Sequence, residues 1–187
     1  MSDQRDLEGL SALVTGATSG IGRAAAEELG RRGAEVVVHG RDAGRGSAVA
    51  GTITAERGKA RFVAADLSDP AQLDRLVEQA GAVDVLVNNA GCSWFGPTAE
   101  LDVATFDRLF AVNVRAPYLL VAALVPKMAG RGSGSIINIA SMAGQIGLAG
   151  GAAYGATKAS PASMTRSWAA DSAPLGSGSM PSPPGQC

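Results

Sequence analysis

Eight residues, TGATSGIG from Thr15 to Gly22, constrain this chain more than any other stretch. They join an apolar run, SALV, to a pattern of helical spacing, IGRAAAEELGRRG. Gly16, Gly20 and Gly22 fall where the backbone must turn sharply between a buried strand and a helix, and where a ligand can approach it closely. A helix starting there aims free N–H groups and a partial positive charge at whatever lies over the turn, which suits a pyrophosphate. The same glycines also serve as plain turn formers. A Walker loop is excluded, because Arg23 follows Gly22 with no Lys-Ser/Thr ending.

The alternation continues along the chain. Short β-branched runs recur at AEVVVHG, ARFVAAD, VDVLVNNAG and GSIINIAS, each followed by a stretch with helical spacing. Apolar runs separated by helices predict an α/β fold with a doubly wound parallel sheet of about five strands, linked by right-handed crossovers. Gly33 reads as a helix C-cap and Pro70 as a helix start. A long helix is predicted over 101–130, bent at Pro117, and Pro161 is expected to kink the last helix without breaking it.

Charge and cysteine usage narrow the function. Sixteen basic residues balance seventeen acidic ones, so a wide basic footprint for nucleic acid is not expected. Cys92 and Cys187 have no metal-ligand spacing, which predicts a reducing, cytoplasmic setting and no structural metal. The start, MSDQRDLEGL, has no apolar core of a secretory signal. The apolar run from Tyr118 is too short to span a bilayer, so no membrane partner is expected.

Several residues could carry chemistry. Tyr154 and Lys158 lie four apart on a predicted helix and so share a face, where an ammonium near a phenol favours the phenolate. A surface Tyr–Lys pair has the same spacing. Ser141 follows the fifth strand, at the carboxyl end where parallel sheets bind ligands, although caps and turns use serine equally well. Asn113 sits within the long helix, where it is a poor helix former; it marks either a role or a solvated position. NNAG (88–91) at a strand end suggests close approach by a ligand, or a plain turn. Asp66 is placed to meet a base or to start a turn. His39, the only histidine, reads as a rim residue. Trp94 and Phe95 either wall a pocket or cover the core.

Taken in order, TGATSGIG, Asp66, NNAG, Asn113, Ser141 and YGATK resemble the short-chain dehydrogenase/reductase family, over residues ~8 to 170. The resemblance implies a Rossmann fold and hydride transfer between a nicotinamide and a small carbonyl or alcohol substrate, 3-oxoacyl thioesters among the candidates. It implies Tyr154 as general acid/base and Lys158 as holder of the nicotinamide ribose and activator of Tyr154. It implies Ser141 as orienter of the substrate oxygen and Asn113 as anchor of a proton-relay water. Thr15, Gly16, Ser19, Gly20, Ile21 and Gly22 would hold the dinucleotide, with Asp66 and Leu67 beside adenine and Asn89, Ala90 and Gly91 along the ribose. A carboxylate ending the second strand would mark NAD(H). That strand ends Val38-His39-Gly40, and Arg41 can pair with a 2′-phosphate, so NADP(H) is favoured over NAD(H). Asp42, one residue on, keeps NAD(H) open. Family members are homo-oligomers, an expectation that weakens for a chain without the family's last strands.

The domain is read as residues 1–170, followed by a tail from 171 to 187. Eleven of those last seventeen residues are Gly, Pro or Ser, which predicts disorder. Shifted by one base, the codons from Asp171 onward permit LSPSGVRVNAVAPGPV, similar to the family's sixth strand and Pro-Gly segment. The expectation is a one-base deletion near the Asp171 codon, and hence a truncated reductase. The alternative is an inactive fragment that only binds dinucleotide or a protein partner.

Overall fold

A computed structural model describes residues 5–172. Five strands run parallel in the order β3-β2-β1-β4-β5: β1 (Ser11–Val14), β2 (Glu35–Gly40), β3 (Lys59–Ala64), β4 (Val85–Asn88) and β5 (Ser135–Asn138). The helices are α1 (Gly20–Arg31), α2 (Ala43–Ala55), α3 (Pro70–Ala80), α4 (Val103–Phe110), α5 (Ala116–Gly130) and α6 (Ala152–Ser172). The doubly wound parallel sheet is the one the alternating pattern predicts. The tail and the altered reading frame lie outside the described residues from 173 on, and α6 still includes Asp171 and Ser172.

Strand alternation explains the two cores. Leu13 lies opposite both Val37 and Leu86, and all three face α3 and α5, packing with Leu73, Leu76, Leu120 and Leu124. Their neighbours Ala12, Val14, Val36, Val38 and Val87 face the other way, onto Ala26, Val49 and Ile53 of α1 and α2. Both faces of the central strands are therefore apolar, and this is why the sequence shows runs rather than alternation.

Local signals fix the helix ends. Aspartates cap α2, α3 and α4: Asp42 accepts from the Arg45 N–H, Asp69 from Ala71 and Gln72, and Asp102 from Thr105. Gly33 takes φ +98 just past α1, as a left-handed terminator should. Pro161 lies inside an unbroken α6.

The helix expected over 101–130 differs from the prediction. Between α4 and α5 the chain makes a five-residue π turn, Ala111–Arg115. Pro117 falls in the first turn of α5, directly after this wider turn, which accommodates its ring and missing N–H. The irregularity is thus a π turn before the proline rather than a bend at it. From Val103 to Gly130 the mean hydropathy reaches 1.6, enough to cross a bilayer by length and composition. Leu120, Leu124 and Met128 instead pack into the core on the sheet, so this is a core helix.

Among the described residues β5 pairs on one side only, with β4. Ile137 on it is 45% exposed, and a groove lined by Val125, Met128, Ile136 and Trp168 runs beside it.

Leu86 is fully buried at the centre of the sheet. Leu86→Ala is expected to cost about 2–5 kcal/mol of unfolding free energy in urea titrations. Val103→Ala, at a position 75% exposed, should stay within about 0.5 kcal/mol of the parent.

Candidate active site

The sheet order reverses between β1 and β4, and a crevice opens beyond their carboxyl ends. A cavity of about 470 Å³ lies there, lined by Gly16, Ser19, Ile21, Arg41, Asp66, Leu67, Asn89, Ala90 and Gly91 among others. Nine of the residues expected to hold a dinucleotide therefore share one cavity. Ile21 lines it while 66% exposed, an apolar side chain left open beside the turn.

Close packing dictates the turn. Gly16 has φ +64, and a Cβ there would lie 2.8 Å from Ala90 Cα. A Cβ at Gly22 would collide with Asn89 Nδ2 and lie 2.5 Å from the Gly16 carbonyl oxygen. Gly20, at φ +55, has nothing within 4 Å of such a Cβ and is the one glycine of the turn that faces open space. Ser19 makes no side-chain bond to the first turn of α1, unlike the aspartates heading α2, α3 and α4. The N–H groups of that turn have no helical partners either, so they present donors to an anion. Glycines filled by neighbouring backbone, with an uncapped helix start above them, fit a dinucleotide pyrophosphate.

Two of the residues predicted as ligand contacts also have a structural task. Thr15 is buried; its hydroxyl donates to the Val87 carbonyl and accepts from the Asn89 and Ala90 N–H groups. The Asn89 amide donates back to the Thr15 and Gly16 carbonyls at 3.0 and 3.1 Å. Both side chains tie the end of β1 to the end of β4. Thr15 lies beneath the cavity wall rather than in it.

His39 corrects the sequence reading. It is 2% exposed and not a rim residue. Its Nδ1 accepts from the Gly16 N–H at 3.3 Å, and its Nε2 lies 3.1 Å from the Ala65 carbonyl oxygen. A carbonyl can only accept, so Nε2 carries the proton and the ring is neutral. Burial pushes its pKa down to about 4, against weaker opposing effects of the Ala65 carbonyl and the Asp66 carboxylate.

Asp66 also has internal partners. Its Oδ1 accepts from the Ser68 N–H and hydroxyl, and its Oδ2 lies 3.6 Å from Arg108 Nη2. Burial alone would raise its pKa, but the Ser68 bonds with Arg108 and Arg41 outweigh it and keep the carboxyl below its usual range. Arg108 was not singled out by the sequence, since nothing in α4 distinguishes it from any exposed helix arginine.

The second half of the site is built around α6. Asn113, buried in the π turn, donates through Nδ2 to the Cys92 carbonyl (2.8 Å) and Thr157 Oγ1 (2.9 Å), and its Oδ1 accepts from the Cys92 N–H (2.9 Å). Both amide hydrogens and one lone pair of Oδ1 are engaged by protein partners, so the residue is buried rather than solvated. Thr157, fully buried, donates in turn to the Tyr154 carbonyl. Lys158 Nζ donates to the Ile139 carbonyl at 3.2 Å, and burial pushes its pKa below the usual lysine range. A Cβ at Gly91 would lie 3.2 Å from Asn113 Oδ1 and 3.5 Å from Lys158 Nζ, so this cavity-lining residue sits close to both.

Ser141 heads the 3₁₀ turn Met142–Gly144 and caps it, accepting from the Ala143 N–H at 3.2 Å. That turn presses on α6 because two glycines allow it. A Cβ at Gly144 would lie 2.6 Å from the Lys158 carbonyl carbon, and one at Gly155 2.7 Å from the Ala143 oxygen. Phe95 meets the Tyr154 ring at 5.4 Å between centroids, tilted by 56°. The loop carrying Phe95 is held by the Gly96 N–H, which donates to the Gly150 carbonyl.

The buried imidazole sets an acid limit. The unfolded chain binds a proton at His39 near pH 6.5 and the folded chain only near pH 4. Between these values the unfolded state holds the extra proton, so stability is intact above ~6.5 and falls as pH drops toward ~4. Urea unfolding should lose about 2 kcal/mol between pH 7 and pH 5, and His39→Asn should flatten that slope. An equal slope in the variant would place its source elsewhere.

Comparison with known proteins agrees with this geometry. The family model described as short chain dehydrogenase matches residues 11–176. An uncharacterised oxidoreductase of Thermotoga maritima is 37% identical over 168 residues, 89% of this chain and 67% of the relative. A sorbitol dehydrogenase of Cereibacter sphaeroides is 41% identical over 167 residues, 86% of this chain and 64% of the relative. This chain thus spans about two thirds of the length of these relatives. Among solved structures, a metagenomic short-chain oxidoreductase in complex with NADP superposes with a TM-score of 0.85 at 44% identity, covering 88% of this chain and 77% of that one. A 3-oxoacyl (acyl-carrier-protein) reductase from Agrobacterium tumefaciens with NADP bound gives 0.84 at 35%, covering 88% and 65%. A family model matching most of the sequence, and relatives of this identity and coverage, show that the chain belongs to the short-chain dehydrogenase family.

Proposed function

We propose that this chain carries the machinery of an NADP(H)-dependent oxidoreductase acting on small carbonyl or alcohol compounds. The observation that carries the reading is the latch between the two half-sites. Asn113 joins Cys92, on the cavity wall, to Thr157 on α6, and Gly91 lies close to Lys158 Nζ. This bridge supports a reading in which Tyr154 and Lys158 serve the end of the same cavity.

The nicotinamide, when bound, accepts or supplies the hydride. In the oxidative direction Tyr154 as phenolate takes the hydroxyl proton while the carbinol C–H leaves with its electron pair. In reduction the phenol O–H returns that proton to the carbonyl oxygen. Lys158 stabilises the phenolate by its charge, and its desolvated position strengthens the effect. Ser141 donates to the substrate oxygen from the 3₁₀ turn that Gly144 and Gly155 bring against α6. Phe95, tilted against the Tyr154 ring, walls the same end.

Two observations support NADP(H) over NAD(H). Arg41 lines the cavity and makes no ion pair among the described residues. Asp42, the one acid that could serve a ribose, is engaged: it caps α2 and pairs with Arg45 Nε at 2.9 Å. The named substrates of relatives include sorbitol and 3-oxoacyl groups, which support a polyol or 3-oxoacyl class for this chain.

Purified chain should oxidise NADPH with small ketones or reduce NADP⁺ with secondary alcohols. Tyr154→Phe should lower turnover by about 10²-fold or more while NADP⁺ affinity is retained. An unchanged rate would remove Tyr154 from the reaction, and NADP⁺ binding without any parent turnover would leave a dinucleotide-binding chain only. Arg41→Ala should weaken NADP⁺ by about tenfold or more and NAD⁺ hardly at all; an equal loss for both would refute 2′-phosphate recognition.

A further inference from the structure

We infer that His39 is a positioning residue of the dinucleotide site, setting the glycine turn through its Nδ1 acceptor. This rests on the dinucleotide reading above and adds to it a residue of the cavity lining that the sequence reading left out of the cofactor-binding set. His39 grips the turn twice. Its backbone carbonyl accepts from the Ala17 N–H at 2.8 Å, and its ring accepts from the Gly16 N–H at 3.3 Å. The opposite edge of the ring reaches Ala65, directly before Asp66 and Leu67 of the cavity wall. One side chain thus spans from the turn that would hold the pyrophosphate to the strand end that would hold the base. It adds a bond at Gly16, where the backbone is left-handed (φ +64) and pressed against Ala90.

The chemistry demands one tautomer. The Gly16 N–H can only donate and the Ala65 carbonyl can only accept, so the ring must be bare at Nδ1 and protonated at Nε2. An ionised carboxylate, which only accepts, cannot satisfy both. Neighbouring charged groups stand at its margins: Asp66 on the β3 side, Arg41 just past the end of β2, and Arg108 of α4 pairing with Asp66. The Gly16–Ser19 turn carries no titratable side chain. Orientation therefore comes from the two backbone partners.

Two isosteric halves of the ring separate positioning from packing. His39→Asn keeps an acceptor near Nδ1 and loses the reach to Ala65. His39→Gln keeps a donor near Nε2 and loses the Gly16 acceptor. The full chain is titrated with NADP⁺ at neutral pH, with thermal midpoints recorded alongside. His39→Gln is expected to bind about five- to tenfold more weakly than the parent, the equivalent of one lost neutral hydrogen bond, and His39→Asn within about threefold. Affinities equal in all three, or falling in step with the thermal midpoints, overturn the inference in favour of plain packing. A parent that binds no NADP⁺ overturns the dinucleotide reading, and this inference with it. The unsubstituted chain supplies an independent check. As His39 is the only histidine, its two ring nitrogens are unambiguous in a long-range ¹H–¹⁵N spectrum. They should show protonated Nε2 and bare Nδ1; the reverse tautomer or an imidazolium at pH 7 overturns the assignment.

Discussion

The Thr15 hydroxyl is the contact on which the rest of the site depends. It donates to β4 at Val87 and receives the N–H groups of Asn89 and Ala90, while Asn89 returns two bonds to the β1 end. The strands on either side of this contact are the pair at which the sheet changes direction. Helices leaving β1 and β4 go to opposite faces there, so no crossover covers the strand ends and a crevice is unavoidable. Backbone groups at such an opening would lack partners, and buried unpaired groups cost ~1–3 kcal/mol each. One hydroxyl and one amide close that ledge from within. The glycine turn is thereby free to face outward.

The same economy holds the half of the site built around α6. Asn113 is a poor α-helix residue, and the structure does not ask it to be one: it sits in a π turn, where the widened backbone admits the side chain to its partners. All its amide groups are satisfied by Cys92 and Thr157, so its position is fixed without solvent. A cavity on the β1–β4 ledge and a helix carrying Tyr154 and Lys158 could drift apart, since α4, α5, β5 and the loops joining them lie between β4 and α6 in sequence. The Asn113 bridge, together with the Gly144 and Gly155 contacts, removes that freedom.

How legible this was depends on the kind of signal. Strands buried on both faces leave unbroken apolar runs, and Gly33, Pro70 and the capping aspartates mark ends locally, so the sheet could be read from residues alone. The membership of the cavity was also legible, because Gly16, Asp66 and NNAG fall at strand ends and strand ends converge in a parallel sheet. What each residue does there was not. Thr15 and Asn89 look like ligand contacts from their place, yet their polar atoms turn inward, and only the pairing register reveals that. His39 looked peripheral because it ends its strand. Its burial depends on Ala65 and Gly16, which are 26 and 23 residues away, and no local pattern encodes them. The π turn was hidden behind Pro117, whose sequence signal is the same whether the chain bends at the proline or widens before it.

These cases share one logic. A motif in such a fold mixes residues that touch a ligand with residues that aim them, because both must sit at the same strand ends. Asp42 illustrates the separation. By position it is one step from the ribose, and by chemistry it is an acid, but the helix it caps takes its Oδ1 and Arg45 takes its Oδ2. A carboxylate with both oxygens engaged is a poor hydroxyl acceptor. Its neighbour Arg41 faces the cavity with no such engagement among the described residues. Cofactor choice in this chain is therefore argued from which of two adjacent charges the fold has already used, a distinction that the dipeptide Arg-Asp cannot express by itself.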